Sequence, residues 1–212
     1  MPRFFRNIPV RPDYKRIMRR MGYKTSTCTA DKDFTGEIVS WIDEACSFIT
    51  LSASAERVRI SASGNSGMNQ TGESAFTGED GKTFVFKSIS LSKYLSGAGE
   101  MLLLGITAGT VIMESIRMLQ ENSMTKAVVF DAAASEITDS GLDYILKIFS
   151  RELARESKKL FSKRFSPGYG DLDLFYQKYI CSSLQLEKIG VKLTDSFMLI
   201  PEKSVTAIAG IA

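Results

Sequence analysis

From Thr125 to about Leu160 the sequence has no proline and repeats apolar residues at helical spacing. Val128, Phe130, Ala134, Ile137, Gly141, Ile145, Ile148, Phe149 and Leu153 fall near one broad stripe. A helix this long cannot bury such a stripe against itself, so the rest of the chain must supply a layer for it to cover. A bend is expected near Ser140–Gly141, where small residues weaken a helix. In the first half of the pattern lies DAAASE, residues 131–136, whose alanines allow close approach and whose Glu136 carries a carboxylate into an apolar neighbourhood. By composition alone Glu136 reads as a surface residue.

The elements around that pattern alternate irregularly. Residues 35–49 place Ile38, Val39, Trp41, Ile42, Ala45, Phe48 and Ile49 at helical spacing, which puts Trp41 in the core. MLLLGIT, residues 101–107, reads as a buried strand. The AGTVIMESIRMLQ that follows reads as a helix whose first turn leaves amides free beside Thr107, Gly109 and Thr110. Those residues either hold an anion or simply cap the helix. Later come a helix in LFYQKYICSSL and strands in VKL, SFMLI and SVTAIAGI, with the last two joined as a pair through the Pro201 turn. The expected fold is therefore α+β: one domain over residues 1–212, with a mainly antiparallel bent sheet packed with helices, including the long one at about 125–160.

Two segments stand apart. RPDYKRIMRRMGY sets Ile17, Met18 and Met21 among Lys15, Arg16, Arg19 and Arg20, which predicts a short basic amphipathic helix. Its charges are read as a solvated face, with a docking surface for an acidic partner as the alternative. Between about residues 61 and 82 the chain turns polar and glycine-rich, an excursion from a sheet flanked by the strand-like runs ERVRI and KTFVFKSISL. It lacks the Gly-Lys-Ser/Thr ending and the strand–loop–helix frame of a phosphate loop.

Composition closes off several chemistries. The chain contains no histidine, which excludes Ser-His-Asp and Cys-His triads and every His-containing metal site. Cys28, Cys46 and Cys181 are odd in number and unevenly spaced, so they read as buried or idle thiols, not as a disulfide framework or zinc site. A formal net charge of +3 calls for no nucleic acid partner. No apolar run is long enough to span a membrane and the N-terminus lacks the apolar region of a secretory signal, so a cytoplasmic location is expected. A glycine-rich turn in a repeating βαβ order is missing, which speaks against a Rossmann-type methyltransferase.

RFSPGYGD, residues 164–171, is the densest cluster of special residue types in the chain. Pro167 fixes φ, while Gly168 and Gly170 permit positive φ and close approach to a ligand. Arg164 offers a planar fork for a carboxylate, and Tyr169 offers an aromatic face for a cation or flat ring. S-adenosylmethionine has those needs. On turn chemistry alone the plainer reading stays open: Pro-Gly is common punctuation, and Asp171 or Asp173 would then cap the next helix.

RFSPGYGD, followed after a helix by IGVKLTDSFMLIPEKSVTAIAGI, resembles the activation domain of cobalamin-dependent methionine synthase, especially its free-standing form. The resemblance runs from Arg164 to Ile211, and DAAASE and LLLGITAGT extend it. It implies an S-adenosylmethionine site at Arg164, Ser166, Gly168 and Tyr169, with Arg164 on the carboxylate and Glu136 on the ammonium. It also implies a role as a reactivation subunit, one component of a methyltransferase system. In that role one electron reduces cob(II)alamin and S-adenosylmethionine methylates the product. Cobalamin would be held by a methionine synthase module as partner, and a flavodoxin- or ferredoxin-like donor would supply the electron. The family's early aspartate contact and its tyrosine beyond the last strand have no counterpart here, so a weaker or partner-completed site is expected. The rival readings are a noncatalytic docking module for a corrinoid protein, and service to a different corrinoid methyltransferase.

Overall fold

The computed structural model of the chain describes residues 1–23, 32–61, 73–77, 81 and 83–212. In chain order the elements are β1 (Arg3–Arg6), α1 (Tyr14–Arg20), α2 (Lys32–Ser47), β2 (Ser52–Ser61), β3 (Glu73–Thr77), β4 (Thr83–Lys87), α3 (Ile89–Tyr94), β5 (Glu100–Thr107), α4 (Thr110–Asn122), α5 (Met124–Arg155), α6 (Gln177–Leu184), β6 (Lys192–Leu193), β7 (Leu199–Ile200) and β8 (Ser204–Ile211).

The main sheet runs β4-β3-β2-β5-β8 with antiparallel neighbours throughout. β1 and β3 share one side of β2: β1 pairs with its first half, Arg3 opposite Ala55, and β3 with its last residues, Arg59 opposite Thr77. β5 lies between β2 and β8 and is buried from Met101 to Thr107. Its side chains do not alternate apolar with polar because both faces of the strand are covered.

On one face Leu102, Leu104 and Ile106 join Ala53, Ala55, Ala207 and Ala209 beneath α1, α2, α4 and α5. On the other, Met101, Leu103 and Ile208 meet Leu91 and Leu95 around α3 and Ile180, Leu184 and Leu186 around α6. Small residues under the long helix let it settle close. A Cβ on Gly141 of α5 would stand 2.5 Å from Ile106 Cδ1 and 3.0 Å from Leu51 Cδ1. The glycine therefore marks a close approach to the sheet, and the helix runs without interruption through Ser140–Gly141.

This is the α+β fold expected from the sequence, with the long helix in place. Three local readings change. In KTFVFKSISL only the first half is strand; Ser88 accepts the Leu91 amide at 3.0 Å and opens α3. The strands on either side of Pro201 are not a hairpin pair: β7 pairs with β6 in a separate two-stranded sheet, while β8 pairs with β5. Within the glycine-rich excursion Glu73–Thr77 forms β3; residues 62–72, 78–80 and 82 of that reading, like Cys28, lie outside the described residues. Trp41 is half-buried against the core under α2. Among the described residues no helix is long and apolar enough to cross a membrane.

Candidate functional site

After α5 the chain turns back and lies along the outer edge of β8. The Lys159 and Ala212 backbones exchange hydrogen bonds, the Phe161 amide donates to the Gly210 carbonyl at 2.8 Å, and Phe165 and Ile208 exchange bonds at 2.9 and 2.7 Å. Gly210 makes room for this strap, since the Phe161 ring stands 2.6 Å from where a Cβ would be. Tyr94 at the end of α3 fastens it from the side. Its ring stacks on Phe165 at 5.7 Å, its hydroxyl donates to the Lys163 carbonyl, and the same hydroxyl accepts from the Gly210 amide. Burial raises the Tyr94 phenol above its ordinary value, which keeps it protonated for that donation.

The strap delivers the RFSPGYGD turn, and each residue of the turn has a definable task. Arg164 Nη1 donates to Asp143 Oδ1 of α5 at 3.0 Å. Ser166 Oγ donates to the Thr206 carbonyl of β8 at 2.7 Å, which extends the edge pairing by a side chain. Pro167 is buried. Gly168 has φ +90° and its amide donates to the Leu172 carbonyl at 2.8 Å; the nearest neighbour of an added Cβ is 3.5 Å away, so conformation and not space requires the glycine. Gly170, at φ +58°, presses against Ser90, 3.0 Å from its would-be Cβ. Tyr169 is 67% exposed.

Asp171 ends the turn by reaching α3. It accepts from Ser88 Oγ at 2.6 Å and from the Ile89 and Ser90 amides at 2.7 and 3.0 Å. The Ser88 hydroxyl above all, together with those donors at a helix start, holds its carboxyl well below the usual carboxylate range. Asp173 accepts from the Phe175 amide and caps the short 3-10 turn Leu174–Tyr176 before α6. Both aspartates are caps, but Asp171 caps a helix 82 positions earlier, not the next one.

The turn is thus tied to β8, α3 and α5 at once, with the Tyr169 side chain exposed and the Arg164 side chain partly exposed beside Asp143. No protein-family model matches the sequence, and no match to a curated protein was found. The structure, however, aligns with the crystal structure of the MetH reactivation domain bound to AdoHcy at a TM-score of 0.67, covering 99% of this chain and 78% of that one at 13% identity. The two chains share a fold.

Within this fold the sequence-predicted residues divide into two groups. Arg164, Ser166, Gly168 and Tyr169 come together in the turn. Glu136 stands away from them, on α5 seven residues before Asp143, a rise of about 10 Å. It is not a surface residue: its side chain is only 6% exposed, and both carboxylate oxygens accept from α1, from Arg16 Nη1 at 3.1 Å and Arg20 Nε at 2.7 Å. Arg20 also donates to Asp139. The basic face of α1, read as solvated, is in part a clamp on α5. Lys203, in the turn before β8, makes a similar contact farther along the helix, with Asp131 at 2.7 Å and Ser135 at 2.9 Å.

Nothing in the sequence patterning singles out Asp143, although its spacing from Glu136 and Asp139 puts it on the same helix face. An open groove of about 400 Å³ is lined by Tyr94 and by Leu160, Phe161 and Lys163 of the strap, and a pocket of about 160 Å³ separates α4 from Ile200–Glu202. Neither is lined by the predicted site residues. Just before α4, Thr107 Oγ1 accepts from the Gly109 amide at 3.1 Å and from Ser204 Oγ at 2.9 Å, while the first turn of α4 has no side-chain cap. Among the described residues no group of three or more Cys, Asp or Glu side chains is arranged to hold a metal ion.

Proposed function

We propose that this chain binds S-adenosylmethionine at the Arg164–Tyr169 turn and serves as the reactivation subunit of a cobalamin-dependent methionine synthase. The observation that carries the reading is the turn itself: a partly exposed guanidinium and an exposed aromatic ring stand on one turn tied to separate elements, in a fold similar to that of a domain crystallised with AdoHcy. The donor set fits such a ligand. Arg164 commits one nitrogen to Asp143, which leaves donors of its fork for the carboxylate. Tyr169 offers a solvent-facing ring for the adenine, and Gly168 keeps the backbone bare of side chain beside it.

S-adenosylmethionine, when bound, supplies the methyl group that regenerates methylcobalamin on the partner module. This chain's own residues bind and orient. A turn held by backbone bonds to β8 moves little, so a ligand gripped at its carboxylate is held in one pose. No residue needs to act as a general base, which suits a chain without histidine. The electron would come from a flavodoxin- or ferredoxin-like donor in the cytoplasm.

The test is calorimetric titration with S-adenosylmethionine, alone and with a cobalamin-loaded methionine synthase module. Arg164→Ala should cost about 1.5–3 kcal/mol of binding, the worth of a charged hydrogen bond. Unchanged affinity in that variant overturns the assignment. The arginine hold on Glu136 favours one second reading, a noncatalytic docking module for a corrinoid protein; it predicts binding of the cobalamin module with no binding of S-adenosylmethionine.

A further inference from the structure

Glu136, Asp139 and Asp143 stand at i, i+3 and i+7 on α5, so their carboxylates share a face of the helix. They are not equally available. Glu136 has both oxygens on the α1 arginines, and Asp139, about one helical turn before Asp143, gives Oδ2 to Arg20 of α1 and so is paired with α1 and not with Arg164. Asp143 uses only Oδ1, for Arg164; its Oδ2 has no partner among the described residues, and its side chain is 44% exposed.

The geometry points to Asp143, and not Glu136, as the carboxylate that receives the ammonium of the ligand's amino-acid head. This rests on the S-adenosylmethionine reading above. An α-amino acid carries its ammonium and carboxylate on one carbon, so its receptor needs an anion and a cation side by side. Arg164 and Asp143, 3.0 Å apart, are such a pair. Glu136 is about 10 Å back along the helix, farther than one amino-acid head spans. Binding at Asp143 also leaves existing contacts intact. The Arg164–Asp143 bond persists while Oδ2 takes the ammonium and the remaining guanidinium donors take the carboxylate. Binding at Glu136 would require two arginines to leave a buried carboxylate first. Glu136 is then the anchor of α1, a task that accounts for both its burial and its partners.

The experiment titrates the full chain with S-adenosylmethionine and with its decarboxylated analogue, which keeps the ammonium and lacks the carboxylate. Asp143→Asn should weaken binding of both ligands about tenfold or more. Arg164→Ala should weaken only S-adenosylmethionine, and Glu136→Gln should leave both affinities close to wild type. A second neutral variant, Asp143→Ala, controls for amide contacts, and circular dichroism confirms the fold of each protein. Wild-type binding by Asp143→Asn, or a loss confined to S-adenosylmethionine, overturns the inference; the second outcome would mean that Asp143 only orients Arg164. Lost binding in a folded Glu136→Gln protein with Asp143→Asn intact also overturns it, in favour of Glu136. If the wild-type chain binds neither ligand, the S-adenosylmethionine reading fails and this one falls with it.

Discussion

Asp171 shows how a residue of the turn stabilises the protein from outside its own neighbourhood. Its carboxylate takes a hydroxyl and two amides at the start of α3, so the turn and that helix hold each other. The folded-state pKa lies below the unfolded value of about 3.9. The contribution is therefore fully present above about pH 4 and fades as the pH falls further. Asp171→Asn should lower the melting temperature at neutral pH, and the gap to wild type should narrow on acidification; a gap independent of pH would show that the charge is irrelevant. The residues of this turn were legible in the sequence because proline, glycine and arginine in one short stretch demand an explanation. Their partners were not. Arg16 and Glu136 are 120 positions apart, and whether a carboxylate is free or taken depends on such contacts through space, which spacing along the chain does not record.

α5 was the most legible element, since its apolar stripe is long enough to outweigh local ambiguity. Its glycine was not. A small residue in a helix reads as a weak point, whereas Gly141 is required by contact with Leu51 and Ile106, both buried. Gly141→Val should cost about 1–3 kcal/mol through overpacking, more than the few tenths that valine gains in helix propensity. A urea titration would read this as a lower midpoint at unchanged slope, and a midpoint at or above wild type would contradict the close approach. The boundaries misread elsewhere have the same origin. The run through Phe84, Val85 and Phe86 looks extended as far as Leu91, but Ser88 and the distant Asp171 satisfy the amides that start α3. β7 and β8 look like a hairpin because they are neighbours in sequence, yet β8 extends the ladder of β5, whose backbone amides and carbonyls need partners on the side away from β2.

At the scale of the molecule, one sheet separates two apolar clusters that share its central strands. Neither cluster can open without exposing the back of the other, so both should be lost together. The cysteines report on this independently. Cys46 packs on the α5 side and Cys181 on the α6 side. Burial, helped by Asp43 and Glu187 respectively, pushes their thiols up to about 11 and about 12. Both should react slowly in the native protein and become reactive at the same urea concentration when labelling is followed site by site by mass spectrometry. Separate midpoints would mean that the two faces unfold independently. The strap of residues 159–165 matters at this scale too. A terminal strand such as β8 presents a row of bare amides and carbonyls on which another copy can grow a shared sheet. Here that row is occupied by the segment that leads into Arg164, so the strap that places the proposed ligand turn is also a guard against aggregation.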